Sequence, residues 1–479
     1  MRNINIFKSI TIASALTSVI IGCSKECENI NVPPVAQQGN AITLTADCCD
    51  VPVTKVAYGE GEGKLNVLWQ TNDAFRLYSG EIAPTGNFTL VAADNQKSIG
   101  SFEGVAAAGT FNAFFPALSD NTTWSAINAS YENQEQDGIN STTHLAAFNY
   151  MVAKDIIIAD NHPTSNFSFT HLGSVMQFDI TLPEDYKPDT DGQPVELVFS
   201  SPTMVKSVKP SGEVGDAASA LTLKLKNIVL TPTSRTFTAY MMCAPFDIPV
   251  NGSVKISLAC KVGSAVNTTT TYYEFDKTYA AGKTYVAGKR YKFEALGTTN
   301  KFAQRKKITL SGIDFNFVMV RAGSFQMGSP EGEGHVIERP RHWVKISKDY
   351  YIGETEISQA QWKVVMNDNP SYHDGEIVPN IPEIATPIGE IQMNRPVENI
   401  TFKNICVDGG VYPICFQNAI QRLVPGNPTF QLPTEAQWEY AARGGDRWRM
   451  AEYLQWAGTD KKSELRNFAW YGNTYGGDS

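Results

Sequence analysis

The chain has 479 residues, 42% of them hydrophobic and 19% charged. These proportions exclude a disordered chain and leave room for about two to four domains. Its net charge is −9 at pH 7, with no long basic run. That argues against nucleic acid as a partner, because phosphate contacts need clustered Lys and Arg.

Arg2 and Lys8 form a short basic start, and Ile10 to Gly22 is apolar apart from Ser and Thr. The stretch is shorter than the roughly 20 residues of a membrane-spanning helix and has the length of a signal-peptide core. Ile20-Ile21-Gly22-Cys23 resembles the lipobox of bacterial lipoproteins. The resemblance implies a signal peptide over 1–22 and a lipid on Cys23, with several acyl chains together anchoring stably. Ser24-Lys25-Glu26 resembles the charged export tag of surface lipoproteins, which places the expected location at the outer membrane, on the cell surface. Residues 23–45, with Pro33-Pro34, read as a spacer. With Cys23 committed to lipid, Cys27, Cys48, Cys49, Cys243, Cys260, Cys406 and Cys415 remain. Cys48 and Cys49 read as free or paired elsewhere, and Cys243–Cys260 is one candidate bridge. No C-x-x-C or Cys/His spacing points to zinc.

From 46 to 298 the pattern has period two. Leu65, Val67 and Trp69 take alternate positions, as do Met176, Phe178, Ile180 and Leu182, then Leu221, Leu223 and Leu225, then Tyr291, Phe293 and Ala295, the last three runs with polar residues between. Short alternating runs bounded by Gly, Pro, Asn and Asp predict half-buried antiparallel strands, hence one β-sandwich or two in tandem. Residues 183–192, Pro-Glu-Asp-Tyr-Lys-Pro-Asp-Thr-Asp-Gly, are the expected divide. Several segments resemble fimbrillin-like proteins: Trp69-x-x-Asn72-Asp73-x-Phe75, Phe102-Glu103-Gly104, Phe111-Asn112-Ala113-Phe114-Phe115-Pro116, Phe169-Thr170-His171-Leu172-Gly173, and Ala287-Gly288-Lys289-Arg290-Tyr291. That resemblance implies lipid-anchored pilins or adhesins built of two transthyretin-like sandwiches, some of which assemble by strand donation. The trimming arginine of such pilins has no counterpart, since the first Arg after the lipobox is Arg76.

Residues 299–307 are polar and basic and read as a linker. The remainder, 308–479, mixes helices and strands. Ser358-Gln359-Ala360-Gln361 and Thr434-Glu435-Ala436-Gln437 are capping boxes, the second helix ending at Gly444-Gly445. Phe317 to Gly328, Glu338-Arg339-Pro340-Arg341-His342-Trp343, Tyr351 to Gln359, Arg395-Pro396-Val397 and Leu432-Pro433-Thr434-Glu435-Ala436-Gln437-Trp438-Glu439-Tyr440-Ala441-Ala442-Arg443-Gly444-Gly445 resemble the formylglycine-generating-enzyme, or sulfatase-modifying-factor, family. The resemblance implies an α+β C-type-lectin-like fold. The family's oxidases bind copper through two cysteines near the C-terminus and hold calcium nearby. The chain ends at Ser479, ahead of those segments, so this domain is expected to be incomplete and to carry no catalytic, cofactor or metal residues. Cys406 and Cys415 precede the Leu432-Pro433-Thr434-Glu435 motif and do not match the catalytic pair.

Gly59-Glu60-Gly61-Glu62-Gly63-Lys64 and Gly332-Glu333-Gly334 interleave glutamates that would repel phosphate, so they read as turns. His335, Glu338 and His342 lack a helical spacing and read as loop residues. Asp189-Thr190-Asp191-Gly192 is too short for an EF-hand loop. The reading that follows is a multidomain surface lipoprotein: all-β sandwiches as stalk, a lectin-like head as adhesin or ligand-binding part. Its expected partners are the membrane through the lipid, a glycan or protein ligand, and other pilin-like subunits. The alternatives are an oxidase acting on exported sulfatases and a structural pilin subunit.

Overall fold

The computed structural model describes residues 40–47, 59–61, 64–66, 68–82, 86–119, 121–160, 164–296, 301–372, 392–406, 415–426, 428–445, 459, 461 and 463–464. Cys23, Cys27, Cys48 and Cys49 lie outside them, and with them the signal and lipid readings.

The first module contains β1 (Asn40–Asp47), β2 (Gly59–Gly61), β3 (Lys64–Asn66), β4 (Ala74–Tyr78), β5 (Phe88–Leu90), β6 (Ile99–Ala106) and β7 (Gly109–Phe115). After β8 (Ala129–Ser130) and β9 (Gln134–Asp137), which serve the next module, come β10 (Met151–Ile158), β11 (Thr164–Ser168) and β12 (Thr170–His171). The spatial order is β11-β1-β6-β5-β4-β7-β10-β12. The first two residues of β4 pair with β5, and Arg76 to Tyr78 pair with β7. Residues from both arms, Leu44 and Phe102 on one and Phe111, Phe115 and Met151 on the other, share a single core. The arms therefore face each other across that core. The spacer expected to reach residue 45 stops earlier: β1 begins at Asn40 because Ile42, Leu44 and Ala46 alternate into the core.

The second module contains β13 (Ser174–Thr181), α1 (Pro188–Asp191), β14 (Gln193–Ser200), β15 (Ser207–Val208), β16 (Ala220–Lys226) and β17 (Thr236–Cys243). It continues with β18 (Phe246–Ile248), β19 (Gly252–Gly263), β20 (Asn267–Tyr279), β21 (Lys283–Tyr285) and β22 (Arg290–Leu296). β13 lies between β17, antiparallel, and β22, parallel. This three-stranded sheet shares a core with β14, β16 and β19, where Phe178, Phe199, Leu223, Ile256 and Phe293 meet. The pattern of β16 is the expected one, with Leu221, Leu223 and Leu225 buried and Thr222, Lys224 and Lys226 exposed.

The edge of β17 is covered by side chains rather than by a strand. Gln134 Nε2 donates to the Met242 carbonyl at 2.7 Å, and its Oε1 accepts from the Met242 N–H at 2.7 Å. Gln136 does the same for the Thr238 carbonyl (3.0 Å) and the Tyr240 N–H (2.9 Å). Asn140 Oδ1 accepts from the Thr238 N–H at 2.7 Å. With His144 Nε2 2.9 Å from the Tyr240 carbonyl, the outward backbone groups of alternate residues 238, 240 and 242 all find side-chain partners, which closes an edge otherwise open to foreign strands. The same segment supplies β9, which pairs in parallel with β16.

The expected divide at 183–192 is corrected. The modules separate between His171, the end of β12, and Ser174, the start of β13. The Pro- and Asp-rich composition of 183–192 has the look of a linker, but Leu182 and Tyr186 anchor it in the second core. Tyr186 OH donates to the Gly192 carbonyl at 2.7 Å, and the Asp191 carboxylate accepts from the Lys187 N–H at 2.9 Å. Gly192 has φ +87°, and a Cβ there would lie 2.1 Å from the Lys261 carbonyl carbon. The candidate bridge is also corrected: Cys243 and Cys260 are free, buried thiols of the same core. Burial pushes both thiols far above the ordinary range.

The third module holds β23 (Lys301–Leu310), β24 (Ile313–Val320), β25 (Gly323–Met327), β26 (His342–Ile346) and β27 (Tyr350–Gly353). Its helices are α2 (Gln359–Met366), α3 (Phe402–Ile405), α4 (Phe416–Leu423) and α5 (Glu435–Ala442). The expected linker 299–307 is corrected in turn, since Lys301–Leu310 is a strand. Its polar side chains reflect a sheet face left in solvent, with Arg305 and Lys307 exposed and Ile308 buried. The chain as a whole is thus multidomain and β-rich.

Candidate functional site

Two small cores hold the third module. Ile308, Leu310, Phe315, Trp362, Phe416 and Ile420 form one, and Val320, Phe325, Ile346 and Tyr440 the other. Both predicted capping boxes form. Ser358 Oγ accepts from the Gln361 N–H at 3.2 Å while Gln361 Oε1 accepts from the Ser358 N–H at 2.9 Å. Thr434 and Gln437 repeat the exchange at 3.2 and 2.9 Å. These caps fix where α2 and α5 start, and so where two tryptophans point. Trp362 turns inward and stacks on Phe416 at 4.9 Å between centroids, its Nε1–H donating to Asp368 at 3.2 Å. Trp438 turns outward and is 62% exposed.

Between these helices and the end of β27 lies a groove of about 640 Å³. Phe317, Val397, Phe416 and Phe430 form its apolar wall, and Trp438 stands at its rim. Glu354, Glu356, Gln417 and Gln431 supply the polar side. Glu354 is held by Arg305 at 2.6 Å, whereas Glu356 is exposed. A second hollow of about 380 Å³ shares Phe317, Phe430 and Gln431 with it and adds Lys306, Asp349 and Tyr350. The arrangement offers aromatic faces beside carboxylates and amides. Such a surface can hold a ligand that is apolar on one side and hydroxyl-rich on another.

Cys23 is outside the described residues. Cys406 caps the C-terminus of α3, and Cys415, buried, caps the N-terminus of α4; both are free thiols. His335 and His342 are exposed: His335 Nδ1 accepts from the Ile337 N–H, and His342 Nδ1 lies 3.0 Å from the Pro340 carbonyl. Glu338 accepts instead from the Ser329 hydroxyl at 2.6 Å, which holds its carboxyl below the usual range. Among the described residues no group of three His, Cys, Asp or Glu side chains could hold a metal. The groove was not foreseen in the sequence. Its one local signal is Trp438, an aromatic on the solvent face of a helix between Glu435 and Glu439.

The fold and groove together define a β-rich chain of two sandwich-like modules followed by an α+β module with an aromatic groove. Residues 302–477 match the family described as the sulfatase-modifying factor enzyme 1-like domain, and the α+β module is a domain of that family. A curated relative, chaperone protein LppX of Paenibacillus barcinonensis, is 27% identical over 137 residues. The match covers 26% of this chain and 44% of LppX, so the chain spans less than half of that relative. Among solved structures, Treponema denticola variable protein 1 is similar at 30% identity over 36% of this chain and 66% of its own, with a TM-score of 0.27. A fimbrial protein of Bacteroides ovatus is similar at 11% identity over 55% of this chain and 49% of its own, with a TM-score of 0.26. A protein assigned to cell adhesion in Bacteroides eggerthii is similar at 11% identity over 59% and 95%, with a TM-score of 0.30.

Proposed function

We propose that this chain is a lipid-anchored surface protein that presents a ligand-binding, lectin-like module on a stalk of two transthyretin-like sandwiches. The observation that carries the reading is the groove, where Trp438 stands beside Glu356, Gln417 and Gln431. A saccharide suits such a surface, because its ring offers C–H groups on one face and hydroxyls around its edge. Adhesion to glycan-bearing surfaces is the function the groove supports best. The test is binding of the full chain to a glycan array, followed by titration of any hit. Trp438→Ala is expected to weaken that binding about tenfold, or ~1.4 kcal/mol, without altering the fold. Retained affinity in that variant would remove the groove from the reading, and no hit on the array would favour a structural pilin role.

The anchor is tested separately. Cys23→Ala is expected to abolish labelling of the protein by a clickable palmitate analogue and to move it from the membrane fraction to the soluble fraction. Unchanged membrane retention would refute the lipid reading. A second reading has support in the enzyme named by the matched family: an oxidase acting on a sulfatase cysteine. Mass spectrometry of a sulfatase peptide incubated with the chain and copper decides it, and we expect the cysteine to remain unconverted.

A further inference from the structure

One of the two eight-stranded sheets ignores the boundary between the second and third modules. Its order is β27-β24-β23-β20-β19-β14-β16-β9. Without the third module β20 would be the sheet's edge, a strand of 13 residues paired only with β19. A long, regular edge of that kind is a template for foreign strands. Here β23 covers the first half of it, in antiparallel register from Asn267↔Ile308 to Tyr272↔Ala303 and, after a register shift, Tyr273↔Lys301, and the Thr309 N–H extends the contact to the Val266 carbonyl at 2.8 Å. Beyond β23 the sheet runs through β24 to β27, a strand of four residues, and its opposite edge, β9, also has four. The two outermost strands of the sheet are therefore short.

The strand β23 belongs to two modules at once. Its Ile308 and Leu310 lie in the core of the third module, while its residues 301–308 lie along β20 of the second. At the junction Gln304 bridges the modules. Its Nε2 donates to the fully buried Thr271 Oγ1 of the second module at 3.0 Å, and its Oε1 accepts from the Tyr351 hydroxyl on β27. A sheet ladder and a side-chain amide bonded on both sides resist rotation far better than a single-chain linker.

We propose that this junction is a rigid joint: β23 closes the first half of the β20 edge, residues 267–273, and fixes the third module to the second sandwich as one mechanical unit. Such a joint holds the groove at a set orientation to the chain below it. The inference rests on strand pairing alone and stands whether or not the groove binds a glycan. Hydrogen exchange on the full chain tests it. Segments 267–273 and 301–308 are expected to be as protected as β13 and β17, and exchange of 267–273 at the rate of a free edge overturns the proposal. Lys307→Pro, which removes one of the alternate N–H groups of β23 that, like that of Thr309, face β20, is expected to speed exchange in 267–273 at least roughly tenfold, with β13 and β17 unchanged. Should that variant also loosen β13 and β17, Gln304→Ala replaces it, with exchange in 267–273 expected about fivefold faster. Protection of 267–273 unchanged in the variant used would show that the third module does not close this edge, and so overturn the joint.

Discussion

Trp69→Ala is expected to lower the stability of the first module by about 3–5 kcal/mol, the usual cost of truncating a fully buried aromatic. Trp69 has no exposed surface and meets Phe102, Phe115 and Phe169 edge-on, at 4.7, 5.7 and 6.1 Å between centroids. These phenylalanines come from β6, β7 and the segment before β12, so the indole joins the two arms that face each other. Gly100 lies directly beneath, where a Cβ would come within 2.8 Å of the indole Cδ1. Glycine at 100 is what leaves room for the ring against β6. Urea unfolding followed by tryptophan fluorescence and near-UV circular dichroism measures the change. The first module should unfold at clearly lower urea, while the second, whose core contains none of these residues, keeps its midpoint. An unmoved first transition would mean that Trp69 does not hold the arms together.

Gln134→Leu is expected to cost the second module about 2–6 kcal/mol, since it strips partners from two buried backbone groups of Met242 at about 1–3 kcal/mol each. Leucine nearly matches the volume, so the loss is one of hydrogen bonding and not of packing. The bond from Gln134 Nε2 to the Tyr131 carbonyl, 2.7 Å, disappears as well. The expected signs are a lower urea midpoint for the second module and faster exchange of the Met242 amide, with the first module unaffected. A Gln134→Leu chain as stable as the parent would show that water replaces the amide without penalty.

Much of the local structure was legible. The alternation of Leu221, Leu223 and Leu225 decides which face of β16 is buried, because successive strand residues point to opposite sides. The two capping boxes are equally local, since each is an exchange between residues three apart. The motif from Leu432 to Gly445 gave the family of the third module for the same reason, its identity being written in contiguous residues. The groove was not legible, because Phe317, Val397, Phe416 and Phe430 come from a strand, a helix and two loops far apart in the chain.

Where the reading went astray, a local composition had more than one three-dimensional outcome. Residues 183–192 have the Pro, Asp and Gly of a linker, yet Tyr186 draws them into a core. Residues 299–307 have the charge of a linker, yet Arg305 and Lys307 lie on the solvent face of β23. Cys243 and Cys260 invited pairing but pack as separate apolar thiols. The sequence alone therefore determined the strand and helix types, their caps and the family of the last module, all of which depend on neighbours within a few residues. Only the tertiary structure decided that glutamines 102 to 108 residues away seal the edge of β17, that β9 and β23 cross module boundaries, and that an aromatic groove forms. Partner choice between strands depends on which edges and apolar faces remain uncovered once the modules have collapsed, and no local pattern records that.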